Sequence, residues 1–278
     1  MSYRTILVHV DNTDAAPARI KLAADLARRE GAHLIGTALA GVPRYMCSGS
    51  AFDISGQFVS DYLRQAEKLA DQALARFEEL AERAEITSRE QRRAEEDEYT
   101  GLCLHARYAD LVVLGQTVPG GEAQGGPTSD LPQHVVLHCG RPVLMVPAQG
   151  QFLDIGQRPV IAWNGSVEAA RAVTAALPLL RRAGKVTVLM FASQGGAQPS
   201  EPGADIAQYL ARHGLDVQVK VCAPASDAGH AILSEAAKLQ ADLLVMGAYG
   251  HSRFREMILG GATRTVLSEL PLPVLMTH

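Results

Sequence analysis

Short aliphatic runs alternate along the chain with longer segments in which apolar residues recur at helical spacing. Residues 6–10 form one such run, and the segment from Ala15 to Glu30 follows it with a single apolar stripe at Ala16, Ile20, Ala23, Ala24 and Ala27. The run predicts a strand buried on both faces, and the stripe predicts an amphipathic helix. Alternation of these two kinds of segment favours parallel βαβ units.

The same alternation continues through the first half. A long stripe from Phe58 to Ala84 predicts a helix, and the acidic residues 95–98 suit the start of another, because negative charge is stabilised at a helix N-terminus. We predict four further strands, at His33–Leu39, Ile86–Arg92, Leu111–Leu114 and Val143–Val146.

The chain repeats itself. Three segments of the first half recur in order in the second: ADLVVLG at 109–115 as ADLLVMG at 241–247, RPVLMVP at 141–147 as LPVLMT at 272–277, and TILVHVD at 5–11 as RPVIAWN at 158–164. The repeat predicts two domains, 1–148 and 157–278, joined by a polar stretch. Most of the extra length of the first half falls in residues 41–60, which we expect to be a flexible loop.

Each half is predicted to be a doubly wound α/β domain, a five-stranded parallel sheet flanked by helices. In the second half, clean alternation at Leu215–Val221 supports the third strand. Ligands of such sheets bind at the carboxyl ends of strands, beside the switch in strand order. The residues at those ends are Asp11 and Asn164 after the first strands, and Gly115 and Gly247 after the fourth strands.

Composition is that of an ordinary globular protein. The 278 residues are 47% hydrophobic and 20% charged, which suits two domains of common size. A formal charge of −4 gives no basic field for nucleic acid. No run approaches the roughly 20 apolar residues of a spanning helix and no signal core is present, so we expect a cytoplasmic protein that does not bind a membrane.

Metal sites are not predicted. The four cysteines are scattered and lack the paired spacing of zinc sites. His134 and His138 share one helical face at a spacing that can bind zinc, but no local carboxylate or second cysteine completes the ligand set. A surface or capping role is favoured for both imidazoles.

A glycine-rich segment carries the clearest chemical signal. It leaves the predicted fourth strand at Gly247 and Gly250, and Gly260 and Gly261 precede an apolar helix from about Ala262. Glycines let the backbone approach a ligand closely, and free N–H groups at a helix start favour an anion. The segment is therefore suited to phosphate.

These residues resemble the universal stress protein family, whose nucleotide-binding members carry Gly-x2-Gly-x9-Gly followed by Ser or Thr at this place. Gly247, Gly250 and Gly260 match the spacing, and the order of elements extends the resemblance over nearly the whole chain. It implies an ATP or other adenine nucleotide pocket. The implied pocket residues are Asn164 near ribose and adenine, Phe191 and Met246 near the base, Gly247, Gly250, Gly260, Gly261 and Thr263 around the phosphates, and His251 as a loop cation.

Each half departs from the family pattern in its own way. In the second, Gly261 replaces the Ser or Thr, and Asn164 replaces an aspartate at the end of the first strand. The first half keeps Asp11 but lacks the glycine loop, and its phosphate-side positions fall on Ser129 and Asp130, where a carboxylate would repel phosphate. We expect nucleotide in the second half only.

The sequence thus predicts a stress-response or regulatory protein that senses adenine nucleotide and signals to a protein partner. A ligand-free protein–protein scaffold and a slow ATPase are the alternatives, although no nucleophile or base motif of a known hydrolase is present. The resemblance implies an intrachain pseudo-dimer in which the halves face each other across their fifth strands, and it leaves a further homodimer open.

Overall fold

The computed structural model describes residues 2–42, 56–117, 120–121, 128, 130–192, 203–250 and 261–278. The chain divides into two compact units, Ser2–Leu153 and Asp154–His278. Each unit is an α/β domain with a parallel sheet, so the predicted fold class is confirmed.

The first unit contains five strands in the order β3-β2-β1-β4-β5, all parallel. The strands are β1 (Thr5–His9), β2 (His33–Leu39), β3 (Arg89–Ala94), β4 (Leu111–Gly115) and β5 (Val143–Val146). The described helices are α1 (Ala16–Glu30), α2 (Gly56–Arg83), α3 (Glu98–Ala106) and α4 (Leu131–His138).

The second unit repeats this plan in the order β8-β7-β6-β9-β10. Its strands are β6 (Pro159–Ala162), β7 (Val186–Phe191), β8 (Val217–Cys222), β9 (Leu243–Gly247) and β10 (Val274–Thr277). The described helices are α5 (Val167–Leu180), α6 (Ala204–Arg212), α7 (Ala228–Lys238) and α8 (Gly261–Glu269).

The two sheets share one register as well as one order. Val8 of β1 pairs with Val113 of β4, and their counterparts Ile161 of β6 and Val245 of β9 pair in the same way. From β1 the chain turns to one side for β2 and β3 and returns to the other side for β4. The strand order therefore switches between β1 and β4, and between β6 and β9, which places a crevice at the carboxyl ends of these pairs.

Burial explains why some strands were easy to predict. Ile6, Leu7 and Val8 of β1 are fully buried, as the continuous aliphatic run requires. β3 begins three residues later than predicted, because it pairs with β2 alone among the described strands and has the polar sequence of a sheet edge.

A glycine in β2 has a packing role. A Cβ at Gly36 would lie 2.6 Å from the ring of Phe77, which is fully buried on α2. The missing side chain lets the helix approach the sheet, so the residue that weakened the strand signal is required by the helix above it.

Two remaining expectations bear on the chain outside this core. Residues 43–55 of the predicted loop 41–60 lie outside the described residues, and residues 56–60 are the start of α2. None of the described helices combines the length and the apolar composition required to cross a membrane.

Candidate functional site

The carboxyl ends of β1 and β4, with the start of α1, form what we call the first-domain edge. Asp11, the first acidic residue after β1, is only 1% exposed. Its Oδ1 accepts hydrogen bonds from the backbone N–H and the hydroxyl of Thr13, at 2.9 and 2.5 Å. Its Oδ2 accepts from Nη2 of Arg19 at 2.7 Å. The carboxylate is therefore fully engaged within the protein.

The partner of Asp11 is the side chain of Arg19, which reaches back from α1 and is 2% exposed. Its Nε donates to the carbonyl oxygen of His9 at 2.8 Å. Nη1 lies so close to Gly115, the last residue of β4, that a Cβ there would collide with it. The guanidinium thus bridges β1 and β4 at the switch in strand order, and Gly115 makes room for the arginine.

Electrostatics fix the charges of this cluster. Burial alone would raise the pKa of the Asp11 carboxyl, but Arg19, with smaller contributions from His9 and Thr13, outweighs it and the pKa is lowered. Burial lowers the pKa of His9 to about 4, so its imidazole is neutral at pH 7. Neither ring nitrogen of His9 has a hydrogen-bond partner in the described part of the chain. The first-domain edge holds one buried ion pair and one neutral imidazole.

Asp130 was predicted at the phosphate-side position of the first domain, but its carboxylate is bound by another side chain of the protein. It directly precedes α4, and its carboxylate accepts a hydrogen bond from the hydroxyl of Tyr99 at 2.5 Å. Burial, followed by this bond, raises the pKa of Tyr99 to about 12. Ser129 lies outside the described residues.

The carboxyl ends of β6 and β9, with the start of α5, form the second-domain edge. The four polar residues of the first-domain edge each correspond to a different residue 153 positions later in the chain. His9, Asp11, Thr13 and Arg19 correspond to Ala162, Asn164, Ser166 and Ala172. Ala172 is fully buried, so the position that holds the guanidinium in the first domain carries only a methyl group here.

Asn164 is exposed, unlike its counterpart Asp11. Its Oδ1 accepts from the N–H of Ser166 at 3.1 Å, and its side chain makes no other hydrogen bond within the described ranges. Ser166 in turn caps α5 by accepting from the N–H of Ala169 at 3.1 Å. The amide nitrogen of Asn164 is therefore free to meet a ligand.

The two described glycines of the motif lie against the start of α5. A Cβ at Gly247 would be 2.5 Å from the backbone nitrogen of Ala169. One at Gly250 would be 2.5 Å from Oε2 of Glu168 and 3.2 Å from Oγ of Ser166. Close packing alone thus accounts for both glycines, whether or not a ligand binds.

Tyr249, between these glycines, was not singled out by the sequence. It has a left-handed backbone, with φ of 58°, and its N–H donates to Oγ1 of Thr263 at 3.3 Å. Burial raises the pKa of its hydroxyl to about 12, and that oxygen has no partner among the described residues. A non-glycine residue in this conformation is strained, and such strain concentrates at functional sites.

The other predicted residues have the following places. Phe191 is the last residue of β7 and is half-buried, and Met246 lies within β9 at 5% exposure. Gly261 is the exposed first residue of α8, and Thr263 is buried in its first turn. The structure thus brings Gly247, Gly250 and Thr263 to the second-domain edge beside Asn164. His251 and Gly260 lie outside the described residues.

The predicted histidine pair is adjacent but is part of an aromatic cluster. The ring centroids of His134 and His138 are 4.3 Å apart, and the ring of Tyr99 packs edge-on against His134 at 4.6 Å. Within the described residues, no group of three or more histidine, cysteine or acidic side chains is placed to hold a metal ion.

Arg19 and Glu168 are the two residues of these edges that sequence reasoning missed, besides Tyr249. Arg19 had a signal, because it falls on the apolar stripe of α1, and a charge on such a stripe needs a buried partner. The only sequence signal for Glu168 was that an acidic residue is common in the first turn of a helix.

Comparison with known proteins agrees with this organisation. The model of the universal stress protein family matches residues 2–147 and 157–278. Universal stress protein Slr1230 of Synechocystis is 26% identical over 177 residues, which cover 60% of this chain and 57% of that protein. The match therefore spans little more than half of that relative's length.

Solved structures show the same fold. A universal stress protein from Archaeoglobus fulgidus superposes with a TM-score of 0.70 at 16% identity, covering 98% of this chain and 95% of its own. A putative universal stress protein from Pseudomonas aeruginosa gives 0.59 at 18% identity, covering 99% and 93%. With the family model matched twice in succession, the chain belongs to the universal stress protein family and carries two family domains in tandem.

Proposed function

We propose that this chain is a regulatory universal stress protein that binds an adenine nucleotide at its second-domain edge and none at its first. One observation carries the proposal. In the first domain the guanidinium of Arg19 bridges β1 and β4 and engages Asp11, whereas in the second domain Ala172 leaves Asn164 exposed. The first-domain edge is therefore filled by a side chain of the protein itself, whereas the second-domain edge is accessible.

The polar groups of the second-domain edge suit such a ligand. The amide of Asn164 can donate to and accept from ribose or adenine. α8 starts at Gly261, and the N–H groups of a first helical turn, which have no partner within the helix, favour an anion at its N-terminus. Gly247 and Gly250 add no side chains of their own where the segment passes the start of α5.

Binding at this place has a route to regulation. The N–H of Tyr249, on the glycine segment, donates to the hydroxyl of Thr263 on α8. A ligand that displaces Tyr249 would therefore also displace the start of α8, and a protein partner that binds this surface would respond to the ligand.

A ligand-free scaffold remains the second candidate, because two features reduce the affinity for phosphate. The carboxylate of Glu168 lies against Gly250, and Gly261 lacks a hydroxyl. Slow ATP hydrolysis is a third candidate that would require steady release of phosphate from purified protein.

Calorimetric titration with ATP and Mg²⁺ separates these candidates. We expect saturable heat from the wild type and none from a Gly250→Val, Gly260→Val double variant. The atom nearest to a Cβ at Gly250 is the flexible end of Glu168, so this variant should fold, which circular dichroism checks. Gly184→Val is the matched control, since a Cβ there meets nothing within 4 Å.

The outcomes are distinct. Heat retained by the wild type and Gly184→Val but lost in the folded double variant would support a site at the second-domain edge. No heat from the wild type at millimolar ATP would contradict nucleotide binding and favour the scaffold.

A further inference from the structure

Glu168 places a negative charge directly beside the glycine segment. It is the second residue of α5, and its Oε2 is 2.5 Å from the position of a Cβ on Gly250. The hydroxyl oxygen of Ser166 is 3.2 Å from the same point. The carboxylate therefore contacts the backbone that a phosphate chain would approach.

No described cation is paired with this carboxylate. Glu168 takes part in no ion pair within the described ranges, and Arg171, one turn further along α5, donates to the backbone oxygen of His278. A nucleotide phosphate at Gly250 would meet an unpaired carboxylate and not a cation from this helix.

Helix stability alone does not require the acid. A carboxylate in a first turn is favoured by the helix dipole, but α1, the counterpart of α5, has no acidic residue in its first turn. Ala15 occupies the position equivalent to Glu168. The acid is therefore specific to the domain whose edge is accessible.

The described residues at the start of α8 also offer few side-chain groups that would bind a long phosphate chain. Gly261 offers no side-chain hydroxyl at the start of α8. The hydroxyl oxygen of Thr263 is buried and already accepts from the N–H of Tyr249. The described residues thus provide uncharged donors and one carboxylate at the phosphate side.

We propose that Glu168 is a specificity-determining residue that makes the second-domain edge prefer an adenine nucleoside over the free triphosphate. The inference rests on the proposed function and names the ligand class of that same site. The mechanism is repulsion between the carboxylate and the charged phosphate chain, which a bound divalent cation would weaken by neutralising the phosphates.

The test uses adenosine and ATP, titrated calorimetrically into the full chain at low ionic strength without divalent cations. Glu168→Gln removes the charge and keeps the shape. Asp205→Asn is the matched control, because it removes the same charge from the first turn of α6 in the same domain. Circular dichroism verifies that each variant is folded.

We expect the wild type to bind adenosine more tightly than ATP. Glu168→Gln should tighten ATP binding about tenfold, as removal of a like charge at contact distance in a partly screened setting predicts, and should leave adenosine binding within about twofold. Asp205→Asn should change neither affinity.

ATP affinity that is unchanged or weaker in Glu168→Gln would overturn the proposed selectivity while leaving nucleotide binding intact. An equal gain for adenosine and ATP would also overturn it, because the effect would then not depend on phosphate charge. No binding of either probe by any variant would remove the proposed function together with this inference.

Discussion

At the scale of single residues, the two domains differ by a concerted replacement. Asp11 and Arg19 of the first correspond to Asn164 and Ala172 of the second. A buried carboxylate without its guanidinium, or the reverse, is an uncompensated charge in a low-dielectric site. The second domain has neither charge, and its neutral Asn164 is exposed.

This pairing predicts a non-additive effect on stability. Arg19→Ala should lower the free energy of unfolding by about 3–5 kcal/mol, because Asp11 is left buried and unpaired. Adding Asp11→Asn, which copies the second domain, should restore part of that loss, although the cavity left by the arginine remains. Urea denaturation followed by circular dichroism measures both values. A double variant as unstable as the sum of the two single variants would contradict the account.

Sequence reasoning at this scale identified Asp11 but not its partner. Asp11 was predicted at the carboxyl end of the first strand, where it lies, yet its burial depends on a side chain eight residues later. Periodicity assigns a residue to a helical face, but it does not state which charge on that face has a partner. A comparison of the two repeats could have identified Arg19, because Asp11 and Arg19 are both replaced in the second half.

At the scale of elements, local patterns determined most helices and strands. Asp97 caps α3 by accepting from the N–H groups of Tyr99 and Thr100 at 3.2 Å, as its acidic run predicted. β3 was misplaced because an edge strand lacks the continuous apolar run on which prediction depends. The alternation of strands and helices predicted a doubly wound sheet but not which strands pair, since pairing between distant segments has no local signal.

A histidine joins two of these elements in a pH-dependent way. Nδ1 of His230 on α7 lies 2.9 Å from a carboxylate oxygen of Asp227, and Nε2 lies 2.8 Å from one of Glu269 on α8. A neutral imidazole has one N–H, so only the protonated ring donates to both carboxylates. The hydrogen bond and charge of Asp227, followed by the charge of Glu269, raise the pKa of His230.

The direction of the pH effect follows from the raised pKa. The contribution of His230 is complete below its unfolded pKa of about 6.5 and is lost as pH rises through the higher folded value. Glu269→Gln should therefore lower the pKa of His230, which NMR titration of the wild type and the variant measures. An unchanged titration of His230 would show that α7 and α8 are not joined by this contact.

At the scale of the whole molecule, one fold occurs twice with different edges. The first domain encloses its own ion pair where a ligand of a doubly wound sheet would bind, and the second leaves that place polar and accessible. The repeat predicted two tandem domains, which the two family matches confirm. The prediction that nucleotide binds in the second half only rested on its glycines, and not on the arginine that distinguishes the two edges in the structure.

Trp163 provides a direct test, because it is the sole tryptophan of the chain and precedes Asn164 at the second-domain edge. The measurement is a titration with ATP and Mg²⁺ in which calorimetry gives the number of sites and Trp163 fluorescence reports their location. Binding at the second-domain edge alone predicts one site per chain and a change in Trp163 emission that saturates with the heat. Two sites per chain, or saturable heat with unchanged Trp163 emission, would contradict it.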